Sequence, residues 1–160
     1  MTNKKIWKTI ESPLHSSGQE YVTHLISQGY RVSEWIQDIF DTPTSDDSGA
    51  KFPIALARVT VAGLGFEKPT ALQEIYRAVI SSGYELVPPL VALHCRLIYD
   101  EQPTGEWLRF ATPMNSMVDS DGVPHLPKLG KALGLFFIET YWAYEQAVFH
   151  PHNEFVVAIR

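Results

Sequence analysis

The 160-residue chain carries 13 basic and 18 acidic residues, a formal charge of −5 at pH 7, and is 45% hydrophobic and 12% aromatic. That composition suits one domain spanning 1–160, able to bury about 70% of its unfolded surface, and argues against extended disorder. An acidic balance without a basic run gives nucleic-acid binding little electrostatic support. The single cysteine, Cys95, rules out an internal disulfide and a cysteine-built zinc cage.

The N-terminus, MTNKKIWKTIESPLHSSG, has no apolar stretch of the kind a secretory signal needs, and the longest apolar run, Ala132–Ile138, is far short of a membrane span. A cytoplasmic protein without a membrane partner is expected. Residues 1–18 read as a tethered arm, with Ile6, Trp7 and Ile10 able to dock on the body. In QEYVTHLISQ, residues 19–28, Tyr21, Val22, Leu25 and Ile26 form one helical stripe that Gly29 closes. SEWIQDIF, residues 33–40, repeats the pattern, with Ser33 as N-cap and Glu34 in the first turn. The short link between them predicts a helical hairpin. DTPTSDDSGAKF, residues 41–52, reads as a loop and a possible sub-boundary between a helical piece, 1–40, and an α+β body, 53–160.

IALARVTVAG, residues 54–63, has β-branched residues favouring a strand and alanines favouring a helix; we read a strand. Gly63-Leu64-Gly65 lacks the third glycine of a dinucleotide fingerprint and reads as a turn. Thr70-Ala71-Leu72-Gln73 matches a capping box ahead of a helix with the stripe Leu72, Ile75, Tyr76, Val79 and Ile80, ended by Gly83. Pro88 and Pro89 then mark the start of a strand. Alternation sets Leu93, Cys95, Leu97 and Tyr99 on one face and His94, Arg96 and Ile98 on the other. Pro103 and Gly105 turn the chain, and Trp107 and Arg109 alternate with Leu108 and Phe110. This predicts an antiparallel hairpin with Leu97 and Phe110 in the core and Arg96, Trp107 and Arg109 on a polar face. Cys95 falls on the core side, as an inert buried thiol. Residues 113–130 read as a loop, 133–141 as a strand, 144–153 as a connection and 154–160 as a closing strand. The expected class is α+β: an N-terminal helical hairpin and one further helix packed on a mostly antiparallel sheet.

Four segments in order, LQEIYRAVISSG, YELVPP, RLIYDEQPTGEWLRFA and DSDGVP, resemble a set of short uncharacterised bacterial proteins with an ELxPP start, an LxYxDQPxGEW hairpin and a DSDGxP turn. The likeness spans residues 54–160, with Glu101 as an extra residue before Gln102-Pro103. It implies shared architecture and carries no activity.

Candidate chemistry is sparse. Asp119-Ser120-Asp121-Gly122 begins like a calcium loop, but the twelfth position is Gly130, so an Asx-turn is the preferred reading. His150-Pro151-His152 offers two imidazoles to a zinc or nickel ion; spacing fixes no third ligand, with Asp119, Asp121, His125 or Glu139 as candidates, and a surface loop is preferred. His94 reads as a polar surface residue, and His15 and His24 have no partner by spacing. Glu139 lies among aromatics, either as a general acid of raised pKa or, as preferred, paired to Arg96 or Arg109. The expected function is therefore a non-enzymatic binding or interaction protein, with a protein or small-molecule partner and no metal or cofactor. Its contact patch would be Arg96, Trp107, Arg109 and Glu139, types common at hot spots. The alternative is a small metal-assisted hydrolase using Asp119, Asp121, Glu139, His150 and His152.

Overall fold

The computed structural model describes residues 4–41 and 50–160. In chain order these form β1 (Lys8–Ile10), α1 (Gly18–Ser27), β2 (Arg31–Val32), α2 (Glu34–Ile39), β3 (Ile54–Thr60), a 3-10 turn (Ala62–Leu64), β4 (Thr70–Ala71), α3 (Leu72–Ser81), β5 (Tyr84–Glu85), α4 (Pro89–Ile98), β6 (Trp107–Phe110), β7 (His125–Ala132), β8 (Leu135–Trp142), β9 (Val148–Phe149) and β10 (Glu154–Ile159). The class is α+β, with four α-helices and a mixed, mostly antiparallel sheet. No helix among the described residues is long and apolar enough to cross a membrane.

One sheet runs β1-β3-β10-β6-β7-β8-β2, with β5 beside the end of β10; β4 and β9 form a separate pair. Its parallel pairs are β6 with β10 and β2 with β8. Alternation along the strands splits two cores between the two faces. On one face, α1, α2 and α4 bring Leu25, Ile36, Leu93 and Cys95 onto Leu56, Leu108, Phe110, Leu129, Ile138 and Val156. On the other, α3 brings Leu72, Ile75 and Val79 onto Ala57, Leu126, Phe155 and Val157. β10 is thus buried on both faces, with Val156 and Ala158 in one core and Phe155 and Val157 in the other. The segment before residue 41 contributes β1 and β2 to the same sheet as the body, so the expected sub-boundary does not divide it. Residues 42–49 of that predicted loop lie outside the described residues.

Three expectations are corrected. The first arm of the predicted hairpin is the helix α4, started by Pro89 at its first turn, where a proline's missing N–H costs nothing. Leu90, Val91, Ala92, Leu93, Cys95 and Arg96 are all buried, so the helix is apolar around most of its circumference and shows little amphipathic period. Leu97 is only partly buried, whereas Phe110 is fully buried. Second, the stretch read as a loop, 113–130, contains the start of β7. β7 forms the long hairpin with β8 through Leu133-Gly134, both at positive φ (53° and 76°), the backbone of a two-residue turn. Pro127 is tolerated within β7 because β6 pairs only with Lys128, Leu129 and Gly130. Third, α3 stands where expected, but Thr70 does not cap it: its hydroxyl donates to the Lys68 carbonyl. The first amides of α3 are satisfied by backbone instead, Leu72 donating to Ala147 at 2.8 Å and Gln73 to Glu145 at 3.0 Å.

Candidate ligand-binding face

β6 sends Leu108 and Phe110 into the core beneath α4, so Trp107 and Arg109 emerge on the opposite face. Register extends them into two rows. Arg109 lies opposite Lys128, which lies opposite Glu139. Trp107 lies opposite Gly130, then Phe137, then Arg31. Gly130 makes room for the indole: a Cβ there would stand 2.5 Å from the nearest Trp107 ring atom, closer than any real side chain allows. The ring rests on the sheet yet stays 37% exposed. The Lys128 ammonium lies 4.7 Å from its centre, and the Arg109 guanidinium lies 5.7 Å from the Tyr141 ring and 5.6 Å from Phe149.

The charges on this face are incompletely matched. Buried Arg109 Nε has no hydrogen-bond partner, and among the described residues Arg109 has no ion pair. Its cross-strand neighbour Lys128 likewise has neither; like charges placed directly opposite destabilise a sheet. Burial pulls the Arg109 pKa down, with the Tyr141 side chain opposing it. Burial first, and then the charge of Arg109, pull Lys128 down, while Glu139 pulls it back up.

Arg109 and Trp107 also line a cleft of about 290 Å³ with Gly105, Glu106, His152, Asn153 and Glu154. Its two acids are already engaged. Arg58 donates to Glu106 at 2.7 Å, to both carboxylate oxygens of Glu154, and to the Tyr99 hydroxyl at 3.0 Å. The Tyr99 hydroxyl in turn donates to Glu106 at 2.8 Å.

Arg96 is not part of this face, contrary to expectation. It lies on α4, on the far side of the sheet, and is fully buried. It donates to Gln102 Oε1 (2.7 Å) and to the carbonyls of Tyr99 (2.7 Å), Phe137 (3.1 Å) and Gly130 (3.2 Å), and stands 4.7 Å from the Phe136 ring. Burial lowers its pKa to about 10, still well above neutrality. Glu139 does share the face of Trp107 and Arg109, but it pairs with neither arginine and forms no ion pair among the described residues.

The residues of the hydrolase alternative fall in separate places. Asp119 closes a turn: Oδ1 accepts the amides of Asp121 and Val123, both at 2.9 Å, and Oδ2 meets His125 Nε2 at 2.8 Å. His125 Nδ1 meets Thr140 Oγ1 at 2.9 Å, and Trp35 stacks on the imidazole at 5.3 Å. The His125 hydrogen bond, then that from Val123, hold the Asp119 carboxyl below its ordinary range. Asp121 points to solvent. His150 and His152 stack on each other at 5.9 Å in the β9–β10 turn, with His152 facing the Arg109 cleft. Among the described residues no three His, Cys, Asp or Glu side chains are grouped to hold a metal ion. The Cys95 thiol is fully buried and its pKa is pushed up to about 12, chiefly by that burial. His94 is not a surface residue as expected: it is half-buried, its Nδ1 2.9 Å from the Tyr21 hydroxyl. His15 and His24, unpartnered by spacing, meet each other at 2.9 Å.

Alternation therefore identified Trp107, Arg109 and Glu139 as face residues. It missed Lys128 and Gly130, which lie in the stretch read as a loop, and His152 as a neighbour of the cleft. No family model, curated protein or solved structure matches the chain.

Proposed function

We propose that this is a non-enzymatic binding protein whose contact surface is the sheet face presented by Trp107, Arg109, Lys128 and Glu139. The observation that carries the reading is the pair Arg109 and Lys128: two partly buried cations, directly opposed across strands, neither held by a hydrogen bond or ion pair within the described residues. Such an arrangement costs stability in the free protein, and a partner that supplies acceptors would offset the cost. A half-exposed indole beside two cations is a familiar anchor at recognition sites. The hydrolase reading has weaker support, because its acids and histidines do not converge.

A fragment screen by two-dimensional NMR tests the proposal, with the Trp107 indole signal assigned by Trp107→Phe. Ligands should perturb Trp107 and residues of β6–β8 together, and Arg109→Gln should weaken them. Hits that cluster instead in the open hollow lined by His15, Glu20 and His24 would overturn it.

A further inference from the structure

We infer that the cleft beside Arg109 receives a small aromatic monocarboxylate, with its oxygens on the Arg109 guanidinium and its ring against the Trp107 indole. This rests on the binding reading above and names the ligand class. Three observations support it. First, Arg109 lines the cleft with no hydrogen bond or ion pair among the described residues, and the planar fork of a guanidinium matches a carboxylate with two parallel N–H···O bonds. Second, a cleft of about 290 Å³ lies at the bottom of the range of small-molecule sites, roughly 300–1,000 Å³, and one wall is the indole that Gly130 allows to lie on the sheet. Third, the surrounding charges favour one negative charge over two. Glu106 and Glu154 share the single cation Arg58, and Lys128 does not line the cleft, which leaves Arg109 as the guanidinium there with no ion pair among the described residues. A carboxylate neutralises it. A phosphate dianion would add a charge close to Glu106 and Glu154.

The test titrates the full chain at neutral pH with sodium benzoate, benzamide and inorganic phosphate, reading the Trp107 indole and Arg109 Nε–H signals by NMR. Benzoate should shift both saturably, and more tightly than phosphate or the uncharged benzamide. Arg109→Gln, with an otherwise unchanged amide spectrum confirming its fold, should lose about tenfold or more in benzoate affinity. Absence of a saturable benzoate shift at these two signals would overturn the inference, as would phosphate binding more tightly, or equal benzoate affinity in Arg109→Gln. If benzamide or a screened fragment binds at Trp107 while benzoate does not, the carboxylate inference fails alone. If no ligand moves Trp107, the binding-face reading fails with it.

Discussion

Arg96 and Arg109 lie on opposite faces of one sheet and solve the burial of a guanidinium in opposite ways. Arg96 is enclosed by three backbone carbonyls and the Gln102 side chain, so most of its donors are met within the protein. Arg109 is partly buried against Tyr141 and Phe149 and opposite another cation, and its donors meet no acceptor among the described residues. Nε is buried without a partner in both, so the contrast lies in the outer nitrogens: those of Arg96 meet four acceptors and belong to the fold, whereas those of Arg109 meet none among the described residues and are free to bind another molecule. Gly130 serves both faces at once. Its carbonyl accepts from Arg96, and its missing side chain seats Trp107.

The largest effect is expected at Arg96. Arg96→Met keeps much of the volume but strips the donor from Gln102 Oε1 and three backbone carbonyls, and should cost about 3–5 kcal/mol in urea unfolding. A loss below about 1 kcal/mol would mean that this arginine is as dispensable to the fold as Arg109.

Gly130→Ala should cost about 1–3 kcal/mol, because the new methyl collides with the Trp107 ring while the carbonyl to Arg96 remains. The Trp107 indole signal should move more than signals from α4. The reverse pattern would place the strain on the Arg96 side.

A third effect is confined to acid. The pKa of Asp119 is depressed in the folded chain, chiefly by the His125 hydrogen bond. A depressed carboxyl stabilises fully above its unfolded value of about 4, and that stabilisation is lost as pH falls through the folded value. Asp119→Asn should therefore flatten the acid side of the stability curve. An unchanged slope below pH 5 or so would show that the Asp119–His125 contact, like the charges around Arg109, is not satisfied at home.

Much of this contrast was hidden in the sequence for identifiable reasons. The amphipathic helices α1 and α3 and the strands β3, β8 and β10 were legible because each has a polar side or a β-branched run that sets its period. α4 was not, because a helix buried on most sides carries little periodic signal and its Leu-Xaa-Cys-Xaa-Leu also fits alternation. Only Pro88-Pro89 hinted at a helix start, and prolines also precede strands. That misreading moved Arg96 from the core to the binding patch. β7, HLPKLGKA, contains Pro, Gly and two Lys, a composition that resembles a loop until its neighbours supply the pairing. With it went Lys128, the residue that makes Arg109 uncomfortable. Thr70 had the spacing of a cap, but the Ala147 and Glu145 carbonyls reached the α3 amides instead, a tertiary contact that no local pattern encodes.

The smallest expected change is the most informative. Arg109→Met exchanges a desolvated, unpaired cation for an apolar chain of similar length. It forfeits ring contacts of about 0.5–1 kcal/mol and relieves repulsion from Lys128. Urea unfolding of this variant beside Arg96→Met tests the central claim, that one arginine holds the fold and the other is held for a ligand. Arg109→Met should be neutral within about 0.5 kcal/mol or slightly stabilising, while Arg96→Met loses several. Equal losses at the two positions, or a loss above about 2 kcal/mol at Arg109, would contradict the account.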